Sequence, residues 1–98
     1  MNDTKKECSI KIGNYCRKFR KYELEMTLEE VANGDNIKTL SAFEHGRSSN
    51  MFHIMKYLCA CKDNGYKMGF IQGLNDIMGG SEAWQEERWN MKEGEIID

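Results

Sequence analysis

The sequence predicts an all-α fold: a small helix-turn-helix bundle of four to five helices followed by a short C-terminal tail. Three observations point there. The 98 residues contain no proline, so no stretch is barred from continuing a helix. Apolar residues recur three and four apart rather than alternating, and the helix formers Met, Leu, Glu and Lys fill the periodic stretches. An apolar content of 40% suits one compact domain with a modest appended segment.

The first helix is expected from about Ser9 to Tyr22, with Ile12, Cys16 and Phe19 on its inner stripe. A capping box starts the second: the Thr27 hydroxyl can accept from a free amide of the first turn while Glu30 reaches back. That helix, Leu28 to Asn33, buries Leu28, Val31 and Ala32. Asn33-Gly34-Asp35-Asn36 then halts it with residues that tolerate turn geometry. Met26 is expected to plug the gap between the first and fourth helices.

Asn36 is a good N-cap for a third helix, Ile37 to His45. Ile37, Leu40 and Phe43 fall on its inner stripe, while Lys38, Thr39, Ser41, Ala42 and His45 face outward until Gly46 ends it. Such an outward face can read base edges. A fourth helix runs from Asn50 to Cys61, with Met51, Ile54, Met55 and Leu58 inside.

After a break at Lys62-Asp63-Asn64-Gly65, the spacing of Met68, Ile71, Leu74 and Met78 predicts a fifth, amphipathic helix reaching Gly79-Gly80. Gly69 and Gly73 lie inside it and each costs about 1 kcal/mol relative to Ala. The helix must therefore pack, either on its own domain or on a second subunit. The chain divides into a helix-turn-helix domain (residues 1–61), the additional helix for packing or dimerisation (62–80) and an acidic tail (81–98). In the tail, Trp84, Trp89 and Met91 stand among carboxylates, without an apolar stripe long enough for a core. It reads either as a loosely ordered end or as a contact arm whose tryptophans dock on another protein.

Net charge is −2 overall, yet residues 1–56 carry ten Lys or Arg against eight Asp or Glu, and residues 57–98 carry four against eight. The motif lies in the basic part, where local cations can attract phosphate despite the acidic end. No apolar run approaches the roughly 20 residues that span a bilayer, and MNDTKKECS lacks the apolar core of a secretion signal. The expectation is a cytoplasmic, nucleoid-associated protein with no membrane contact. Four cysteines include Cys59-Ala60-Cys61 but no second close pair, so neither metal nor cofactor is expected. Cys16 and one of Cys59 or Cys61 are read as small core residues. His45 and His53 lie near no nucleophile motif and there is no glycine-rich phosphate loop, which argues against an enzyme.

The run Thr39-Leu40-Ser41-Ala42-Phe43-Glu44-His45-Gly46-Arg47 resembles the recognition-helix ending of Cro-like and lambda-repressor-like regulators of the XRE type. The similarity covers roughly residues 9 to 61. Ile12-Gly13 with Cys16-Arg17-Lys18-Phe19-Arg20 resembles that family's first helix, and Asn50-Met51 with Ile54-Met55-Lys56 the helix after the motif. The run from Arg20 to Thr27 is about one residue longer than the family pattern, and the turn between Ala32 and Thr39 about two shorter. Leu28 stands where many relatives carry a phosphate-contacting glutamine. That contact is either absent here or supplied by the Thr27 amide and hydroxyl.

The resemblance implies a DNA-contacting set of Thr27, Asn36, Lys38, Thr39, Ser41, Ala42, His45, Arg47, Ser48, Ser49 and Asn50. Lys38 and Thr39 open the recognition helix, Ala42 offers thymine only a methyl group, and His45 to Asn50 form a phosphate clamp. Ile37 is assigned to the core, and Glu44 to a structural ion pair with Arg20. The implied function is a sequence-specific transcriptional regulator, a repressor of bacterial or phage and mobile-element origin, binding a two-fold operator in double-stranded DNA as a homodimer. The alternative is the same scaffold serving as a protein-interaction or inhibitor module through residues 81–98.

Overall fold

The computed structural model describes residues 2–78, and they are all-α. Five helices follow in order: α1 Asn2–Lys18, α2 Leu28–Ala32, α3 Ile37–Glu44, α4 Ile54–Ala60 and α5 Asn64–Met78. A π-helical turn, Phe19–Leu24, extends α1, and a 3-10 turn, Met51–His53, leads into α4. The tail reading for residues 81–98 lies outside the described residues.

The local start signals act as expected from their spacing. Thr27 Oγ1 accepts from the Glu30 amide at 3.1 Å while the Thr27 amide donates to Glu30 Oε1 at 2.8 Å. Asn36 Oδ1 accepts from the amides of Lys38 and Thr39 at 2.8 and 3.3 Å. At the other end of α3, the amides of Gly46 and Arg47 donate to the carbonyls of Phe43 and Ala42. This is a Schellman closure, made possible by Gly46 at φ +77°.

The core gathers around Phe70. Its ring lies 4.8 Å from Phe19, 5.5 Å from Tyr15 and 6.1 Å from Tyr57, and the Tyr15 hydroxyl donates to its carbonyl at 2.9 Å. α5 thereby packs on α1 through Phe70, Gly73, Leu74 and Ile77. Leu40 and Phe43 of α3 are fully buried, and Val31 and Ala32 of α2 are buried beside them; Cys16 and Cys61 are the buried thiols. Burial lifts the Cys16 thiol well above its ordinary pKa, with the Glu44 carboxylate adding to the shift.

Three expected faces are corrected. Across the 3-10 turn and α4, Met51 and Met55 are exposed and Ile54 and Leu58 reach only the edge of the core; His53, Tyr57 and Cys61 point in instead. These inner residues are four apart, and Tyr and His bury their rings while keeping a polar tip. In α5, Met68, Ile71 and Met78 are exposed, because the helix turns Phe70 and Ile77 toward the aromatic cluster. Ile37 is 41% exposed rather than core.

The end of the first helix also differs. Phe19 to Leu24 widens into a π-turn, each of whose hydrogen bonds spans one residue more than in an α-helix. Phe19, Arg20, Lys21, Tyr22 and Leu24 are all buried there, and Glu25 in the left-handed region closes the turn. Arg20 enters the core through this widening.

Candidate nucleic-acid interface

α3 is held from behind. Arg20 places Nε 2.7 Å from Glu44 Oε2 and Nη2 3.0 Å from Oε1, the Tyr57 hydroxyl donates to Oε2 at 2.7 Å, and Arg20 Nη1 donates to the Met26 carbonyl at 2.9 Å. One buried carboxylate thus ties the π-turn, α3 and α4 together. Burial and the adjoining Glu44 carboxylate push the Tyr57 hydroxyl far above its ordinary pKa, so it stays a donor. A second tie is steric: a Cβ at Gly13 would stand 2.2 Å from the Phe43 carbonyl oxygen. α1 therefore crosses the end of α3 at glycine distance.

With Leu40, Phe43 and Glu44 fixed inside, Lys38, Thr39, His45, Arg47 and Ser49 are exposed, and Ser41, Ala42 and Ser48 are half-buried. Lys38, Ser41, Ala42 and His45 follow one another at helical spacing along the outer side of α3. Among the described residues, the side chains of Lys38, Thr39, Ser41, Arg47 and Ser49 are engaged in no hydrogen bond or ion pair. Two cations and three hydroxyls are therefore available to an acceptor-rich ligand.

Four of the sequence-derived contacts are already occupied. The Thr27 amide and hydroxyl oxygen serve the capping box, leaving only its hydroxyl proton for a phosphate. The Asn36 side-chain oxygen is spent on the α3 amides, and the Asn50 amide, expected to donate outward, donates to Ser48 Oγ at 3.2 Å. Asn50 Oδ1 caps the Phe52 amide. His45 Nδ1 lies 2.9 Å from the Ser41 carbonyl oxygen, which can only accept, so Nδ1 carries the proton and only Nε2 remains for a ligand. Ala42 brings a methyl group and nothing polar.

Two exposed apolar residues join them: Ile37, which the sequence reading assigned to the core, and Phe52, which it did not place. Ile37 is an exposed apolar residue in the first turn of α3, and Phe52 is 82% exposed two positions beyond Asn50. No sequence signal marked either, since exposure depends on how α3 and α4 are rotated about their axes. Near the N-terminus of α3, the Asp35 carboxylate is paired with Lys56 and held below its usual pKa by that hydrogen bond. Its charge is thus partly neutralised beside the outer face.

Among the described residues, no group of three or more His, Cys, Asp or Glu is placed to hold a metal ion, and no helix is long and apolar enough to cross a membrane. The chain matches no family model, no curated protein and no solved structure.

Proposed function

We propose that this protein is a sequence-specific DNA-binding regulator that lays the outer side of α3 in the major groove, and that its effect is repression by occupying promoter DNA. The observation that carries the reading is the set of unengaged donors on one exposed stretch: Lys38, Thr39 and Ser41 on α3, with Arg47 and Ser49 just beyond it. Cations and hydroxyls meet phosphate oxygens, and donors near the start of a helix in the groove meet base edges. The resemblance to Cro-like regulators supports the same reading. The π-turn supports it further, since it absorbs the one extra residue between Arg20 and Thr27 within a continuous helix. The bacterial or phage setting, nucleoid location and two-fold operator belong to this proposal.

The test is selection from a random duplex pool at near-physiological salt, run beside the Lys38→Ala, Arg47→Ala double variant. The wild type alone should recover one two-fold symmetric motif. A folded wild type that enriches no sequence would sink the reading. The overall charge of −2 would then favour the competing one, a protein-interaction module.

A further inference from the structure

α5 carries two apolar faces and buries only one. Phe70, Gly73, Leu74 and Ile77 pack inward, while Met68 at 67%, Ile71 at 49% and Met78 at 68% remain exposed. With exposed Asn75 they stand at positions 68, 71, 75 and 78, alternately three and four apart, and so form one stripe along the outer side of the helix. Gln72 borders it: its Nε2 donates to Asp76 Oδ1 at 3.0 Å, which leaves Oε1 as an acceptor. Exposed Lys67 flanks the stripe one turn before Ile71, and exposed Lys62 precedes the helix.

We infer that the occupant of this stripe is the chain's own C-terminal segment, residues 81–98, held there by Trp84 and Trp89. Reach is sufficient: Met78 to Met68 spans about 15 Å along a helix rising 1.5 Å per residue, and the stretch of chain from Met78 to Trp84 extends to roughly 20 Å. Gly79-Gly80, directly after α5, has no Cβ to bar a reversal of chain direction. Indole matches the stripe chemically. Methionine thioethers make favourable contacts with aromatic rings, and a docked indole needs an acceptor for its N–H, which Gln72 Oε1 and the Asn75 side chain supply. Charge favours the same direction of approach. Residues 81–98 carry six Asp or Glu against two Lys or Arg, and a segment running back from Met78 brings its acids toward the positive end of α5, where Lys62 and Lys67 outnumber Asp63.

Tethering decides between this segment and a separate partner. Three apolar side chains fall far short of the roughly 20–30 residues a side of a standard interface, too little to hold a free protein. A segment joined by a short linker meets the stripe at an effective concentration on the order of millimolar, where a contact this small is still populated. The docking is intramolecular and is measured without DNA, so it stands or falls separately from the proposed DNA binding.

Both tryptophans of the chain lie in the docking segment, so the intrinsic emission of the full chain tests the inference directly. The wild-type spectrum should lie to the blue of the urea-unfolded chain, show a lower acrylamide quenching constant, and keep its position on dilution. Met68→Glu and Met78→Glu each place a carboxylate on the stripe and should move the emission of the folded protein to the red, with quenching rising toward the unfolded value. Phe52→Glu, in the 3-10 turn before α4 and away from α5 in the chain, should leave both unchanged. Melting curves by circular dichroism establish that each variant is folded; if one stripe variant is not, the other carries the comparison. A wild type that emits and quenches like the unfolded chain, emission that reddens on dilution, folded stripe variants that both emit like wild type, or a red shift in Phe52→Glu would overturn the inference.

Discussion

Arg20 and Glu44, 24 residues apart, form a two-point ion pair with nitrogen–oxygen distances of 2.7 and 3.0 Å, and the Glu44 side chain is wholly buried. Removing one partner of such a pair strands a charge in the core. Glu44→Ala should therefore cost about 3 kcal/mol or more in denaturant unfolding. Tyr57→Phe removes a single donor and should cost nearer 1 kcal/mol. If the protein binds DNA as proposed, the folded fraction of Glu44→Ala should retain the wild-type sequence preference. Unchanged stability with lost DNA binding would show that Glu44 touches the ligand.

Two glycines should respond to alanine with opposite signs. At Gly13 the added methyl meets the α3 backbone at 2.2 Å, and an overpacked contact of this kind costs about 1–3 kcal/mol. At Gly69 nothing lies within 4 Å of the added Cβ, so Gly69→Ala should stabilise α5 by about 0.5–1 kcal/mol. Thermal midpoints of the two variants should move apart from the wild-type value.

His53 makes stability depend on pH. Its ring packs 5.2 Å from Phe43, and its buried Nε2 has no hydrogen-bond partner. Burial, followed by the charge of Lys56, lowers its pKa below the ordinary 6.5, and Asp35 opposes them. The unfolded chain thus takes up the proton first as pH falls. The His53 contribution is complete above about pH 6.5 and is lost as pH drops through the lower folded value. Unfolding curves collected between pH 8 and pH 5, a window that brackets the ordinary histidine pKa of about 6.5, should show this loss in wild type and a flatter profile in His53→Phe. Equal slopes would remove His53 as the cause.

Contacts with phosphate can be separated from contacts within the chain. Arg47→Ala and Lys38→Ala should each reduce the slope of log affinity against log salt by about 0.9 if the residue meets one phosphate. Thr27→Ala should lower stability by about 1 kcal/mol through its lost cap and leave the salt slope alone, because its hydroxyl oxygen and amide are already engaged. A salt slope that falls in Thr27→Ala would return Thr27 to the phosphate contacts.

What could be read from the sequence was what is decided within a turn or two of chain. The Thr27–Glu30 box, the Asn36 cap and the Gly46 closure depend on partners at most five residues away. Arg20 with Glu44 was legible only by resemblance, because no local rule pairs residues that far apart. The faces of α4 and α5 escaped for a different reason. Each helix carries two candidate stripes, and counting apolar side chains favoured Met51, Met55, Met68 and Met78 over His53, Tyr57 and Phe70. The core chose by ring packing around Phe70 and by a carboxylate that needed the Tyr57 hydroxyl. The same choice exposed Phe52, and the consumption of the Asn50 amide by Ser48 was equally invisible until the loop had a shape.

The clasp of Glu44 by Arg20 and Tyr57 also governs how the molecule breathes. Its three members come from the π-turn, α3 and α4, so α3 cannot lift away without putting an unpaired charge in the interior. Opening of α3 is therefore coupled to opening of the whole domain, and its amides should exchange with deuterium only as slowly as global unfolding allows. Residues 47–50, beyond the clasp, face no such barrier. A ligand reading both would meet a stiff rod beside a pliant edge.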